Sequence, residues 1–206
     1  MKFSKRGFIA AWVAVSALVA GCEAIGGKSG SGSKAAAPLI TGYTCCNLRY
    51  EPGSDWINEL NYHSATMIPL GTPASVKSYG RSRASIDLAG KPMRLGQDYT
   101  REALSLEQYT RRMIAAEDPK IKLATYPKDV QEAIKAGRVM NGMNKEQIIM
   151  SVGYPLTQEN PSMDAPMWRM WISPLGEYQL MWDDKGRVKE IVADPVTKNM
   201  IVYKAN

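Results

Sequence analysis

Histidine, cysteine and phenylalanine are scarce in this chain of 206 residues, which has one histidine, three cysteines and two phenylalanines. Metal sites and acid–base sites usually combine several His, Cys, Asp or Glu side chains. The single histidine, His63, is not part of any such set in the sequence. We therefore expect a protein that is not an enzyme, with no catalytic residues, no metal site and no cofactor.

Sequence motifs of common enzyme classes are also missing. The chain has no G-x-S-x-G and no H-E-x-x-H pattern, which mark serine hydrolases and zinc peptidases. The glycines between residues 26 and 32 follow no strand pattern and precede no helix pattern, so they do not form a nucleotide-binding loop. This leaves binding and structural roles as the expected functions.

The N-terminus has the pattern of an export signal. Lys2, Lys5 and Arg6 precede the apolar run GFIAAWVAVSALVA at residues 7–20. A transmembrane helix needs about 20 apolar residues, and this run is shorter. A positive segment followed by a short apolar run is typical of a secretory signal peptide.

The end of the apolar run and the two residues after it read L-V-A-G-C at residues 18–22, which resembles the lipobox of bacterial lipoproteins. The resemblance implies that residues 1–21 are a signal peptide and that Cys22 is the lipidated first residue of the mature chain. It also implies a diacylglyceryl group on the thiol and a further acyl chain, such as palmitate, on the new amine. Three acyl chains hold a protein firmly at a membrane, whereas one holds it only marginally.

Residue 23 and the charge balance bear on location and partners. Glu23 follows Cys22. Enteric-type bacteria retain a lipoprotein at the inner membrane when aspartate occupies this position. We therefore expect this chain at the cell outer membrane, facing the periplasm. The signal residues Lys2, Lys5 and Arg6 account for +3 of the net charge of +6. The mature chain is left at about +3, which gives no indication of a nucleic-acid partner.

The remainder of the chain divides into four segments. Residues 22–41 are rich in Gly, Ser and Ala, which predicts a flexible linker. Residues 42–99 predict a small β-rich module, with strands at 74–79, 84–88 and 92–95. Residues 100–137 predict a helical connector: Ser105 and Gln108 have the spacing of a capping box, and Pro127 suits the first position of a second helix.

The last segment, residues 138–206, predicts a short helix followed by a hairpin-rich sheet. Asn144 is the expected N-cap, Gln147 completes a capping box, and Gly153 ends the helix. Alternating runs predict strands at 167–172, 177–183 and 187–193, with a further short strand at 200–203. Together with the preceding module, this pattern predicts an α+β fold.

The order of these C-terminal elements resembles the BamE family, also called SmpA/OmlA lipoproteins. The matching motifs are G-M-N-K-E-Q-I from Gly142, G-Y-P from Gly153, W-R-M-W from Trp168, and W-D-D-K-G-R-V-K-E-I from Trp182. The resemblance implies two helices on a three-stranded antiparallel sheet. It also implies an accessory role in the assembly of β-barrel outer-membrane proteins or in envelope integrity, by binding other assembly subunits or lipid. Another periplasmic binding module, peptidoglycan-associated or inhibiting an enzyme, remains the alternative.

Three tryptophans and two cysteines are the remaining candidate site residues. Trp168, Trp171 and Trp182 are possible interface residues, because tryptophan is enriched in binding hot spots. Trp168 and Trp171 are three apart, so they should point to opposite faces of one strand. Cys45 and Cys46 are adjacent and could be free thiols, a vicinal disulfide or an intermolecular bridge.

Overall fold

The computed structural model describes residues 38–63, 65–98 and 103–205, and in these ranges the chain forms two β-sheets and five helices. The first sheet has eight strands and the second has three. The α+β class predicted from the sequence is therefore confirmed. The predicted signal peptide, Cys22 and the linker up to residue 37 lie outside the described residues.

The first sheet is built between residues 40 and 115. Its strands are β1 (Ile40–Thr44), β2 (Leu48–Tyr50), β3 (Trp56–Asn58), β4 (Thr66–Ile68), β5 (Pro73–Tyr79), β6 (Arg83–Leu88), β7 (Lys91–Gly96) and β8 (Ile114–Ala115). Their order across the sheet is β4-β2-β3-β7-β6-β5-β1-β8. Strands β3 and β7 are parallel, and the other neighbours are antiparallel.

Strands β5, β6 and β7 form a meander that the alternation of apolar residues predicts to within one residue at each end. Ala89 and Gly90 make the turn between β6 and β7, with φ of 52° and 89°. Positive φ at both turn residues suits the right-handed twist of a two-residue hairpin. Strand β1 begins at Ile40, inside the linker that was predicted to reach residue 41.

The helices are α1 (Leu106–Met113), α2 (Pro119–Leu123), α3 (Lys128–Lys135), α4 (Lys145–Val152) and α5 (Pro195–Ile201). Both predicted capping boxes are confirmed, with Ser105 and Gln108 at α1 and Asn144 and Gln147 at α4. Helix α4 ends at Gly153, whose φ of 87° favours glycine. Pro127 is the N-cap of α3 and not its first residue, so that prediction is wrong by one position.

The second sheet consists of β9 (Met167–Ser173), β10 (Gly176–Trp182) and β11 (Val188–Ala193), in the order β11-β10-β9. These strands correspond to the three predicted alternating runs. The fourth predicted strand, at 200–203, is wrong, because α5 extends to Ile201. Asp194 caps α5 by accepting from the N–H groups of Val196 and Thr197, and Pro195 follows it. This start signal, an acidic cap followed by proline, outweighs the short alternation further along.

Buried apolar side chains form two clusters. The cluster of the first sheet is made of small, aliphatic, Met and Tyr side chains, whereas the cluster of the second sheet includes Trp168 and Trp182. Their ring centroids are 4.7 Å apart in an edge-to-face arrangement, which is favourable for aromatic pairs. Ile149 of α4 packs against both clusters, so the two sheets belong to one compact unit.

Candidate functional site

A buried polar junction, centred on Asn47, joins the first sheet to α3 and α4. Asn47 is fully buried, and its Nδ2 donates to the carbonyls of Ile134 at 2.7 Å and Ser151 at 2.9 Å. Its backbone N–H donates to the carbonyl of Met150, and its Oδ1 accepts from the N–H of Leu70. A buried amide without hydrogen-bond partners lowers the stability of the fold, so these bonds favour one arrangement of the first sheet relative to α3 and α4.

Arg49 and His63 form a second part of this junction. Arg49 is only 8% exposed, and its Nη1 donates to the carbonyls of His63 and Ala65 at 2.9 and 3.1 Å. Its Nη2 lies 3.1 Å from Nδ1 of His63. A guanidinium only donates, so Nδ1 accepts and the ring proton lies on Nε2.

The protonation of His63 follows from this environment. Burial, and then the charge of Arg49, lower the pKa of His63 to about 4. The ring is therefore neutral at physiological pH and is a poor proton acceptor there. The backbone N–H of His63 donates to the carbonyl of Ile172 on β9, so the segment also connects the two sheets.

Cys45 and Cys46 form a disulfide bond with each other at the bend between β1 and β2. Of the alternatives left open by the sequence, the structure therefore contains the vicinal disulfide. Cys46 is fully buried, and the N–H of half-buried Cys45 donates to the carbonyl of Met113 at the end of α1. The pair directly precedes Asn47, so it lies where the bend enters the junction.

The three candidate tryptophans lie in different environments. Trp168 is fully buried and Trp182 is 9% exposed, so both are core residues, and their prediction as interface residues is corrected. Trp171 points to the opposite face from Trp168, as the strand spacing predicts, and remains half-buried. Its Nε1 donates to a carboxylate oxygen of Glu159 at 2.7 Å.

Trp171 belongs to the open face of the second sheet, which we call the Trp171 face. Its members are half-buried residues of β9 and β10: Met167, Arg169, Trp171, Glu177, Gln179 and Met181. Cross-strand partners on this face are Trp171 with Glu177, Arg169 with Gln179 and Met167 with Met181. Arg169 and Glu177 form an ion pair at 3.2 Å. The face therefore combines one aromatic and two flexible apolar side chains with a charged pair.

A cavity of about 250 Å³ opens beside β2 and β3, and we call it the Trp56 pocket. Residues that line it include Arg49, Glu51, Trp56, Asn58, Asn61 and Tyr62. None of them is predicted from the sequence as a site residue. They come from β2, β3 and the residues directly after each of these short strands. Strand β3 pairs with the distant β7, and no motif in the sequence marks these residues.

Comparisons of the chain with protein-family models, with curated proteins and with solved structures found no match. Within residues 38–63, 65–98 and 103–205, no group of three or more His, Cys, Asp and Glu side chains could hold a metal ion. In the same part of the chain, no helix has the length and apolar character to cross a membrane.

Proposed function

We propose that this chain is a lipid-anchored protein of the cell envelope that acts by docking to other proteins. Lipidation at Cys22 would hold it at the periplasmic side of the outer membrane. Its role would be similar to that of BamE-family accessories in the assembly of β-barrel outer-membrane proteins. The lipobox supports the location, and the Trp171 face is the observation that supports the docking.

The composition of the Trp171 face favours a protein partner. Tryptophan is enriched in binding hot spots, and methionine adapts its shape to a partner surface. The Nε1 bond to Glu159 fixes the orientation of the Trp171 ring, so little freedom would be lost on binding. One face of the second sheet is covered by its core, and the other remains available, as is common in antiparallel sheets.

The element order of the C-terminal segment supports the proposed likeness to BamE. A capped helix, α4, precedes three consecutive antiparallel strands, β9 to β11. This is the order that the resemblance implies for residues 138–206. We propose a BamE-like arrangement for this segment on that ground, together with the four motifs in the sequence.

A lipid anchor would increase the concentration of the docking face near membrane-bound partners. If the residues between Cys22 and β1 are a flexible tether, their reach is on the order of 20–25 Å. Confining two partners within such a distance makes even a weak interface effective.

The proposal is tested by affinity purification of the lipidated chain from gently solubilised envelopes, with partners identified by mass spectrometry. We expect subunits of the outer-membrane assembly machinery to be recovered, and to be reduced by Cys22→Ala. Trp171→Ala should reduce them as well, while Trp56→Ala, a change of another half-buried tryptophan in the first sheet, should not. Recovery of no assembly subunit from a preparation of confirmed lipidation contradicts the proposal.

The alternative is another periplasmic binding module, associated with peptidoglycan or inhibiting an enzyme. The Trp56 pocket favours it, because a concave site with a few polar groups is typical of small-ligand binding. Under this alternative, the purification recovers the chain without assembly subunits.

A further inference from the structure

The Trp56 pocket has walls that are fixed before any ligand binds. Directly after β3, Leu60 donates its N–H to Oδ1 of Asn58 at 2.9 Å, and Asn61 donates its N–H to the carbonyl of Asn58 at 3.1 Å. Arg49 donates to the carbonyls of His63 and Ala65, the latter of which also lines the pocket. Such preorganisation lowers the entropy cost of binding.

The side chain of Asn61 fixes the same wall from within. Its Nδ2 donates to the carbonyls of Asn47 and Val152, both at 2.9 Å. Asn61 has a φ of 50°, a conformation that asparagine tolerates better than most residues. These bonds connect the wall of the pocket to the buried junction, so its position is fixed by the folded core.

Trp56 is the largest aromatic residue of the pocket, and its ring is held in one orientation. The guanidinium of Arg83 lies 4.2 Å from the ring centroid. The indole nitrogen packs so closely on Gly96 that a Cβ at that glycine would collide with it. Arg83 occupies one face of the indole, so a ligand ring can stack only on the opposite face.

The charges around the pocket disfavour both cationic and anionic ligands. A cation would approach the guanidinium groups of Arg49, Arg83 and Arg94, the last of which is beside Trp56 in the sheet. An anion would meet the carboxylate of Glu51, which lines the pocket. The Nη groups of Arg49 already donate to the chain itself, and Arg94 donates twice to Asp55.

We propose that the Trp56 pocket binds a neutral saccharide through one pyranose ring. The apolar C–H face of the sugar stacks on Trp56, and its hydroxyl groups bond to the Nδ2 of Asn58 and the carboxylate of Glu51. The Oδ1 of Asn58 is occupied by Leu60, so Nδ2 is the part of that amide available to a ligand. The cavity of about 250 Å³ is smaller than a typical drug-sized site of roughly 300–1,000 Å³, which suits a single ring.

The test is isothermal titration of the full lipidated chain in a polyoxyethylene detergent, because glycoside detergents would compete for the site. The saccharide probes are chitotetraose, a β-1,4-linked acetamido glycan of the cell-wall type, and maltotetraose, an α-1,4-linked glucan. Choline chloride and sodium phosphate are the cationic and anionic probes. We expect one of the two saccharides to bind in the micromolar to millimolar range, and its identity indicates the source of the sugar.

Matched variants locate the binding. Trp56→Ala should weaken saccharide binding at least tenfold, and Trp171→Ala should leave it within twofold. Asn58→Asp retains the acceptor for the N–H of Leu60 but loses the Nδ2 donor, and it should weaken binding at least fivefold without a change in thermal unfolding. This variant decides the test if Trp56→Ala fails to fold.

Three outcomes overturn the inference: neither saccharide binds at millimolar concentration; choline or phosphate binds and is lost with Trp56→Ala; or a folded Asn58→Asp binds as the parent does. The affinity purification of assembly subunits reports on Trp171 and not on the pocket. Failure of the docking proposal and failure of the saccharide site are therefore separate results.

Discussion

The first sheet joins segments that are far apart in the sequence, whereas the second sheet joins segments that follow one another. In the first, β1 lies between β5 and β8, and β3 pairs in parallel with β7. In the second, β9, β10 and β11 are paired in chain order through short turns. The second sheet can therefore form from local contacts, while the first depends on closing long loops.

The two regions also differ in how their cores are filled. The second core contains a pair of large buried aromatic rings, Trp168 and Trp182, and the first core consists of smaller side chains. The polar junction around Asn47 connects the two. We expect the second region to be sensitive to single core changes and the coupling between regions to be sensitive to the junction.

Trp168→Ala should have the largest effect on stability. Trp168 is fully buried against Trp182, and truncating a buried tryptophan typically costs about 3–5 kcal/mol of unfolding free energy. Urea unfolding followed by circular dichroism measures the change. Trp171→Ala, on the opposite face of the same strand, is the matched control and should cost far less. Equal losses in the two variants would contradict the assignment of faces.

Asn47→Ala should have the next largest effect and should weaken the coupling between the two sheets. It leaves the carbonyl of Ser151 and the N–H of Leu70 without their partner, while the carbonyl of Ile134 still accepts from the N–H of Gly137. An unsatisfied buried polar group costs about 1–3 kcal/mol, so we expect a loss of about 2–4 kcal/mol.

The same variant tests whether the two regions unfold together. The urea unfolding curve followed by tryptophan fluorescence should separate from the curve followed by far-ultraviolet circular dichroism. The fluorescence reports mainly on the second region, because three of the tryptophans lie there. Asn141→Ala, which changes an exposed residue, is the control and should keep a single unfolding transition. Coincident transitions in Asn47→Ala would mean that apolar packing, and not the junction, couples the regions.

The pH dependence of stability should reveal the lowered pKa of His63. An unfolded histidine titrates near pH 6.5, whereas the pKa of folded His63 is about 4. Between these values the unfolded chain binds a proton that the folded chain does not, so stability is complete above pH 6.5 and falls as the pH decreases towards 4. Hydrogen bonds lower the pKa of Asp55, Asp183 and Asp194, so their contributions are lost only below the ordinary carboxylate range.

Imidazole signals in a proton NMR titration measure this pKa directly, because His63 is the single histidine of the chain. His63→Gln, which keeps a neutral acceptor for Arg49, should flatten the stability curve between pH 6.5 and 4. An imidazole that titrates near 6.5 in the folded protein would be inconsistent with its position beside Arg49.

The two capping boxes should give the smallest effects, and nearly equal ones. Ser105 caps α1 of the first region, and Asn144 caps α4 of the second. Replacing either with alanine should cost about 1 kcal/mol, because each loses one bond to a backbone N–H. Thermal unfolding measures both. A much larger loss for Asn144→Ala would show that its cap also supports the packing between sheets.

The sequence predicts the parts of this fold that depend on local signals. The capping residues Ser105 and Asn144, the meander from β5 to β7 and the strands of the second sheet follow from short patterns of hydroxyl, amide, glycine and alternating apolar residues. Strands β2, β3, β4 and β8 are two or three residues long and are stabilised by distant partners. Their own residues therefore give little indication of a strand.

The same distinction applies to the candidate sites. The spacing of Trp168 and Trp171 correctly predicts opposite faces, but it cannot tell which face is the core. Asn47, Arg49 and Asn61 belong to no motif in the sequence, and their roles arise from bonds to α3, to α4 and to the backbone of His63 and Ala65. Helix α5 is predictable in place of the strand at 200–203, because Asp194 and Pro195 mark its start in the sequence.

The position of β1 has a mechanical consequence if the chain is anchored through Cys22. A pull from the membrane would reach the first sheet at Ile40 and run along β1, which is hydrogen-bonded to β5 on one side and β8 on the other. Bonds between antiparallel strands are perpendicular to the strands, so such a pull shears many of them at once and does not open them one by one. The anchor would thus be attached to the protein at a point that resists tension.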